Sequence, residues 1–236
     1  MPTLNRLVMI ADILGFRARV LSRPPEDVVD TAVLYLRRAL NFALHQQTGV
    51  DPPSLNELDR HSHVGLGWFS DTVILYGRDD SDRTAKTFID TVGYLAFLTT
   101  IPPDARLRIG IDYGGLYVDE PNRIYVGPAL VRAYELQEAQ DWSGGALTSE
   151  ARTRLSTIGD TPYVVDYPVP GKNGIVSEHA IDWTSGIHIG EPLAWGPGQP
   201  EPPLRTEHSQ PDVARKWRNT RRFHAERCEI CRVNRR

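Results

Sequence analysis

Residues 6–11 (RLVMIA) form an apolar run of strand length that stops at an aspartate, Asp12, with Gly15 three residues further on. A run this short, closed by a turn, reads as a buried strand with the carboxylate just past its tip. After Pro24 and Pro25, residues 26–47 place Val29, Ala32, Val33, Leu36, Ala39, Leu40 and Ala43 at helical spacing. An amphipathic helix covering one face of a sheet follows.

The pattern then repeats with variations. A loop rich in Pro, Asp and Ser (51–63) leads to HVGLGWF, the pair Ser70-Asp71, and TVILYG, a β-hairpin with Asp71 at its turn. Residues 82–98 read as a second helix, stopped by Ile101-Pro102-Pro103. RLRIGIDYG, a Gly114-Gly115 break, LYVDE and IYVG read as three short strands, and residues 128–140 as a third helix with Pro128 in its first turn. The order strand, helix, hairpin, helix, hairpin, helix predicts an α/β (α+β) sandwich: a mainly antiparallel sheet, helices on one face, and the functional loops at one end. Further strands are expected at 163–169 and 175–183, and residues 184–211, rich in Pro, Gly and Glu, read as an irregular extension. The expected division is a body, 1–183, and an extension with a basic C-terminal helix, 184–236.

With 40% hydrophobic residues, 24% charged and a net charge of -3, the 236-residue chain has the profile of a globular protein in water. No stretch approaches the ~20 consecutive apolar residues of a membrane span, and the early Asp12 does not suit a signal peptide, so a cytoplasmic protein without a membrane partner is expected. Cys228 and Cys231 make a lone C-x-x-C, too little for a disulfide framework or a four-cysteine zinc site. His224 is a possible third ligand, but an incidental pair in a frayed tail is the plainer reading. Residues 212–236 carry nine Lys or Arg against Asp212, Glu226 and Glu229. Such a tail suits an anionic partner such as nucleic acid; a solvated helix packing on the acidic body is preferred, and no stable nucleic-acid partner is expected.

Chemistry centres first on Asp12 and Asp71, two loop-tip carboxylates that such a fold brings together. Hard divalent cations take oxygen ligands, and a carboxylate pair near a glycine turn suits Mg²⁺ or Mn²⁺ with substrate phosphates. The plainer alternative is that each aspartate supports its own turn. The turn Ile13-Leu14-Gly15-Phe16 exposes backbone N–H groups that suit a polyphosphate; alternatively Gly15 only permits the turn and Phe16 only fills the core.

Asp12-Ile13-Leu14-Gly15-Phe16 resembles the opening Asp-Ile-x-Gly-Phe of class III nucleotidyl cyclase catalytic domains. Phe69-Ser70-Asp71-Thr72 is similar to the family's second metal hairpin, with Ser70 where a Gly is usual. RIGIDYGGLYV (108–118) is similar to its Arg-x-Gly-Ile-x-x-Gly strand pair, followed by Gly127 and a helix. The resemblance spans about residues 4–160 and implies a ferredoxin-like sandwich. It further implies two Mn²⁺ (or Mg²⁺) ions per site on Asp12, Asp71 and the Ile13 carbonyl, and phosphates on the Gly15 and Phe16 amides. A homodimer with sites across its interface is implied as well.

The departures narrow the expectation. Purine-specific members carry a lysine where this chain has Gly67, and their second base-reading position falls on Ile124; the transition-state Asn and Arg positions fall on Val131 and Glu135, with Arg132 as a possible substitute. Metal ligands kept and purine readers lost is similar to the pyrimidine cyclases of Pycsar antiphage systems. That resemblance implies a uridylate (or cytidylate) cyclase acting on UTP or CTP, whose product signals to a separate effector. A degenerate cyclase-like nucleotide-binding or regulatory domain is the alternative. Trp68 is expected in the core; Tyr125 and Tyr134 border the expected base region. His61 and His63 are expected in solvent, and His179 and His188 to lack carboxylate partners.

Overall fold

The computed structural model describes residues 3–48, 63–100, 105–188 and 211–233. Strand β1 (Leu4–Ile13) is followed by α1 (Phe16–Ser22), α2 (Pro25–Val28), a π-helical turn (Val29–Val33) and α3 (Leu34–Thr48). The hairpin β2 (Val64–Phe69) and β3 (Thr72–Gly77) precedes α4 (Asp82–Thr100). Next come β4 (Leu107–Asp119), β5 (Ile124–Val126), α5 (Pro128–Ala139), β6 (Gly144–Leu147) and α6 (Ser149–Ser156). The hairpin β7 (Val164–Gly171) and β8 (Gly174–Ile181), a 3₁₀ segment (Trp183–His188) and α7 (Pro211–Val233) complete the described chain.

The strands form one sheet in the order β2-β3-β1-β4-β6-β8-β7, with β5 paired to β4. Every pairing is antiparallel except β4 with β6. Alternation along β1 sorts its side chains. Leu7, Met9, Ala11 and Ile13 join the main core with Leu36 and Leu40 of α3 and Phe88 and Val92 of α4. The other face, carrying Val8 and Asp12, lies under α5, which approaches so closely that a Cβ on Gly110 would sit 2.1 Å from the Ala133 carbonyl oxygen. Helices α3 and α4 thus share one face as expected, whereas α5 lies on the opposite one.

Several sequence expectations change in detail. The Gly114-Gly115 pair does not break the strand: β4 runs through it because the β1 ladder continues, Gly115 facing Asn5 and Gly114 facing Arg6. The helix expected at 26–47 is interrupted by the π turn. Strand β6 and helix α6, short elements with little periodicity, had no sequence signal. The loop at 51–62, the Ile101-Pro102-Pro103 stop and residues 189–210 of the extension lie outside the described residues.

Residues 211–227 of the C-terminal helix fold back onto the body, as the preferred reading of the basic segment expects. Phe223 of α7 is fully buried against Trp142 and Tyr167, with ring centroids 5.1 and 4.7 Å away. Arg215 pairs with the buried Asp141, and Arg227 reaches the buried Asp182 at 2.7 Å. The basic residues on this face of α7 are therefore matched to carboxylates of the body. No helix among the described residues is long and apolar enough to cross a membrane.

Candidate catalytic centre

Asp12 stands one residue from the end of β1, on the α5 face, directly opposite Arg108 of β4. The Arg108 guanidinium donates to both its oxygens, Nη2 to Oδ2 at 2.9 Å and Nε to Oδ1 at 3.3 Å. The same Nη2 donates to Glu138 of α5 at 2.5 Å. Asp12 is one-quarter exposed and Arg108 one-tenth, so the pair is screened only in part by water.

Asp71 sits in the two-residue turn between β2 and β3, next to Ser70, whose φ of 56° is the left-handed conformation that favours glycine. Burial raises the Asp71 carboxyl above its ordinary value, and the charge of Asp12 raises it further; its own backbone N–H and the Ser70 hydroxyl pull it back only in part. The two loop-tip carboxylates therefore lie within each other's electrostatic reach.

Between them runs the end of β1. Gly15 adopts φ 76° and opens α1, whose first N–H groups have no intrahelical acceptors. Leu14 donates its N–H to the Arg106 carbonyl at 2.8 Å, and the Arg19 guanidinium donates to the Leu14 carbonyl at 2.7 Å. Phe16 packs against the main core. A trans peptide sets C=O and N–H on opposite sides. With the Leu14 N–H bound to the Arg106 carbonyl on the β4 side, the Ile13 carbonyl is directed toward the β3 side, where Asp71 lies.

Two carboxylates and a main-chain carbonyl form an all-oxygen donor set, the chemistry that Mg²⁺ and Mn²⁺ select. Asp12, Asp71 and Ile13 thus fit a divalent ion. Among the described residues no larger cluster of His, Cys, Asp or Glu suits a metal.

The region expected to hold the base is closed by an aromatic ring. A Cβ on Gly67 would lie 2.9 Å from the Tyr125 ring, which tilts against Tyr76 at 5.6 Å between centroids. Ile124 is partly exposed beside it. Tyr134, Val131 and Glu135 are exposed on α5. Arg132 is held within its own chain: it forms an ion pair with the fully buried Asp112 at 2.7 Å and donates to the Tyr113 carbonyl at 3.2 Å.

Other expectations resolve outside this centre. Trp68 packs on the main core and donates to the Ser70 carbonyl at 2.7 Å. His63 is not turned to solvent but half-buried, 3.4 Å from the Thr84 hydroxyl. His179, expected without a carboxylate, lies 3.1 Å from Asp166 of the neighbouring strand, a pairing set by cross-strand register that sequence spacing does not show. His224 stacks on Trp183 at 5.4 Å. His61 and the side chains of His188, Cys228 and Cys231 lie outside the described residues. Sequence reasoning missed Arg108 and Glu138 as partners of Asp12; the Arg-x-Gly-Ile motif contained the arginine, but only the β1–β4 register shows what it faces.

No protein-family profile and no curated protein matches the sequence. Solved structures match by shape. The catalytic core of a rhodopsin-guanylyl cyclase with converted specificity, in complex with ATPαS, superposes with a TM-score of 0.51 at 12% identity, covering 65% of this chain and 82% of that one. An adenylate/guanylate cyclase/hydrolase from Silicibacter pomeroyi gives 0.48 at 14% identity, over 77% of this chain and 96% of that one. A class III adenylyl cyclase-like ATP-binding protein from Pseudomonas aeruginosa gives 0.47 at 17% identity, over 79% and 40%. The chain has the α/β fold of class III nucleotidyl cyclase catalytic cores, a mostly antiparallel sheet with helices.

Proposed function

We propose that the chain is a pyrimidine nucleotide cyclase that converts UTP (or CTP) into 3′,5′-cyclic UMP (or CMP) and pyrophosphate. The observation that carries this reading is the convergence of Asp12 and Asp71 beside Arg108, with Tyr125 filling the space over Gly67. A divalent ion pair, Mn²⁺ or Mg²⁺, bound on Asp12, Asp71 and the Ile13 carbonyl would supply Lewis-acid activation of the ribose 3′-hydroxyl and neutralise phosphate charge. The Gly15 and Phe16 amides hold phosphate oxygens at the start of α1. Arg108 fixes the Asp12 carboxylate and adds positive charge beside it. The 3′-oxygen attacks the α-phosphorus, the bond to the β-phosphate bridging oxygen breaks, pyrophosphate leaves, and the hydroxyl proton passes to solvent. A ring seated over Gly67 leaves no space for a purine-reading lysine at that position, which favours a pyrimidine base.

The site in this reading is completed by a second copy of the chain. Phe69, Val126, Val131 and Tyr134 are more than half exposed on the hairpin tip that carries Asp71, on β5 and on α5, apolar side chains that suit a homodimer interface. The cyclic product is a second messenger in antiphage defence, read by a separate effector, and the enzyme works in the cytoplasm. One observation favours a different reading. Arg132, the only basic side chain in the first two turns of α5, is committed to Asp112, as in a nucleotide-binding domain without turnover. Incubation with ATP, GTP, CTP and UTP in Mn²⁺, with products read by mass, separates the two. A cyclic pyrimidine nucleotide that Asp12→Ala and Asp71→Ala abolish is expected; preferred turnover of ATP or GTP overturns the pyrimidine assignment, and no product from any of the four favours the binding domain.

A further inference from the structure

The C-terminal helix meets the body at the same end of the sheet as Asp12. Trp217 of α7, itself buried, has the Arg106 guanidinium over its ring, the central carbon 3.4 Å from the ring centroid. Arg106 is 1% exposed, and its Nε donates to the Thr100 carbonyl at 3.1 Å. Its own carbonyl accepts the Leu14 N–H at 2.8 Å. One turn along α7, the Thr220 hydroxyl accepts from the Ser143 N–H at 2.9 Å, and the Ser143 hydroxyl donates to the Leu107 carbonyl at 3.2 Å. Leu107 is the cross-strand partner of Ile13. Two links from α7 therefore end on Leu107, the first residue of β4, and on Arg106 just before it, the residues that face Ile13 and Leu14.

We propose that α7 is a positioning element of the candidate catalytic centre, with Trp217 and Arg106 setting the direction of the Ile13 carbonyl. This rests on the cyclase reading only for its catalytic consequence. The geometric step is independent of it. Ile13 C=O and Leu14 N–H belong to one planar trans peptide, so the acceptor that holds the N–H also aims the oxygen on its far side. The Trp217 ring and the Thr100 carbonyl hold the Arg106 guanidinium, and that anchor narrows the backbone orientations open to Arg106. With that hold released, the Leu14 N–H bond loosens, and the peptide plane next to Asp12 samples other orientations. The metal-binding oxygen is then correctly directed for a smaller fraction of the time, and apparent affinity falls by that fraction. Trp217 and Arg106 touch neither metal nor nucleotide in this arrangement; they act through the peptide.

The test is made on the full chain with Trp217→Leu, which keeps apolar bulk but removes the π face, and Trp217→Phe, which restores one. Thr220→Val provides a second, separate lesion at the Ser143 link. The first readout needs no catalysis: amide hydrogen exchange at Leu14. Trp217→Leu is expected to speed exchange at Leu14 about tenfold while leaving the middle of β1 protected, and Trp217→Phe to return it to within about twofold of the native rate. The second readout is Mn²⁺ titration in the presence of UTP, with an expected tenfold weaker half-saturation and kcat held within about threefold. Unchanged Leu14 exchange in Trp217→Leu, or a loss that Trp217→Phe does not repair, overturns the proposal. A native chain that turns over no triphosphate counts against the cyclase reading instead, and the Leu14 exchange rates still decide whether α7 positions this peptide.

Discussion

The Arg108 guanidinium bridges Asp12 and Glu138, donating at 2.9 Å to one and 2.5 Å to the other from the same nitrogen. It ties the tip of β1 to α5 and balances one of two converging carboxylates. Arg108→Met is expected to reduce kcat/KM by roughly 100-fold, the scale for losing one preorganised charged donor. Arg108→Lys is expected to recover little, because an ammonium cannot make the forked pair of bonds to Asp12. Steady-state kinetics on both variants, with melting temperatures as the control for folding, check this.

Asp71 gives the centre a pH dependence whose sign follows from its environment. Burial first, and Asp12 second, raise its carboxyl in the folded chain. A folded-state value above the unfolded one means that native Asp71 binds its proton more tightly, so stability is greatest with the proton on and falls as pH rises through the raised value. Asp71→Asn is therefore expected to melt higher than the native chain at pH 7, with the difference closing on acidification below the ordinary carboxylate range. Mn²⁺ affinity of the native chain runs the other way, weakening as pH falls through the same interval. Paired thermal melts and Mn²⁺ titrations between about pH 4 and 8 follow both trends.

The parts of this site legible in the sequence were those that depend on chain-local geometry. The apolar run before Asp12 and the polar pair between two strand-like runs place both carboxylates at strand ends, where the structure has them. Gly15, in a left-handed conformation, was readable as a turn. What was not readable depends on register and on distant packing. Arg108 faces Asp12 across 96 residues of chain, and Trp217 finds Arg106 across more. The Gly114-Gly115 pair misled because local breaking propensity was overridden by a ladder with β1. Arg132 was singled out by position on α5, and its commitment to a buried aspartate on the adjoining strand has no local signal.

The contact between Gly67 and Tyr125 predicts how base choice responds to mutation. A side chain at 67 starts 2.9 Å from the ring, so Gly67→Lys alone is expected to destabilise the chain by about 1–3 kcal/mol through overpacking. It is not expected to confer purine turnover. Tyr125→Ala opens the space and is expected to raise the ratio of ATP or GTP to UTP turnover, and the double variant to tolerate the lysine. Competition assays with mixed triphosphates, read by product mass, measure the ratio directly.

Ser70 holds a conformation at φ 56° that costs an L-residue roughly 1–2 kcal/mol. Glycine relieves that strain but enlarges the freedom of the unfolded chain, so Ser70→Gly is expected to stabilise by less than about 1 kcal/mol. The Ser70 hydroxyl also pulls the Asp71 carboxyl down. Its removal is expected to move the pH at which Mn²⁺ binding is lost upward, a shift that titration of the variant reads beside its small gain in denaturant midpoint.

Phe69 is the most exposed large apolar residue described, at 82%, on the same hairpin that carries Asp71. Exposure on this scale contributes little to the fold of one chain, so Phe69→Asp is expected to change its unfolding free energy by no more than about 0.5 kcal/mol. An aspartate there would still place a charge within an apolar interface, next to Val126 and Val131 if two copies pair through this surface, and burying an unpaired charge is costly. The expected result is a shift from dimer to monomer in sedimentation velocity, with specific activity that falls on dilution in the native chain and is low at every concentration in the variant. A native chain that sediments as a monomer at full activity would require each copy to carry a complete site, and with Arg132 committed to Asp112 the transition-state charge would then have to be balanced by Arg108 and the bound metal alone.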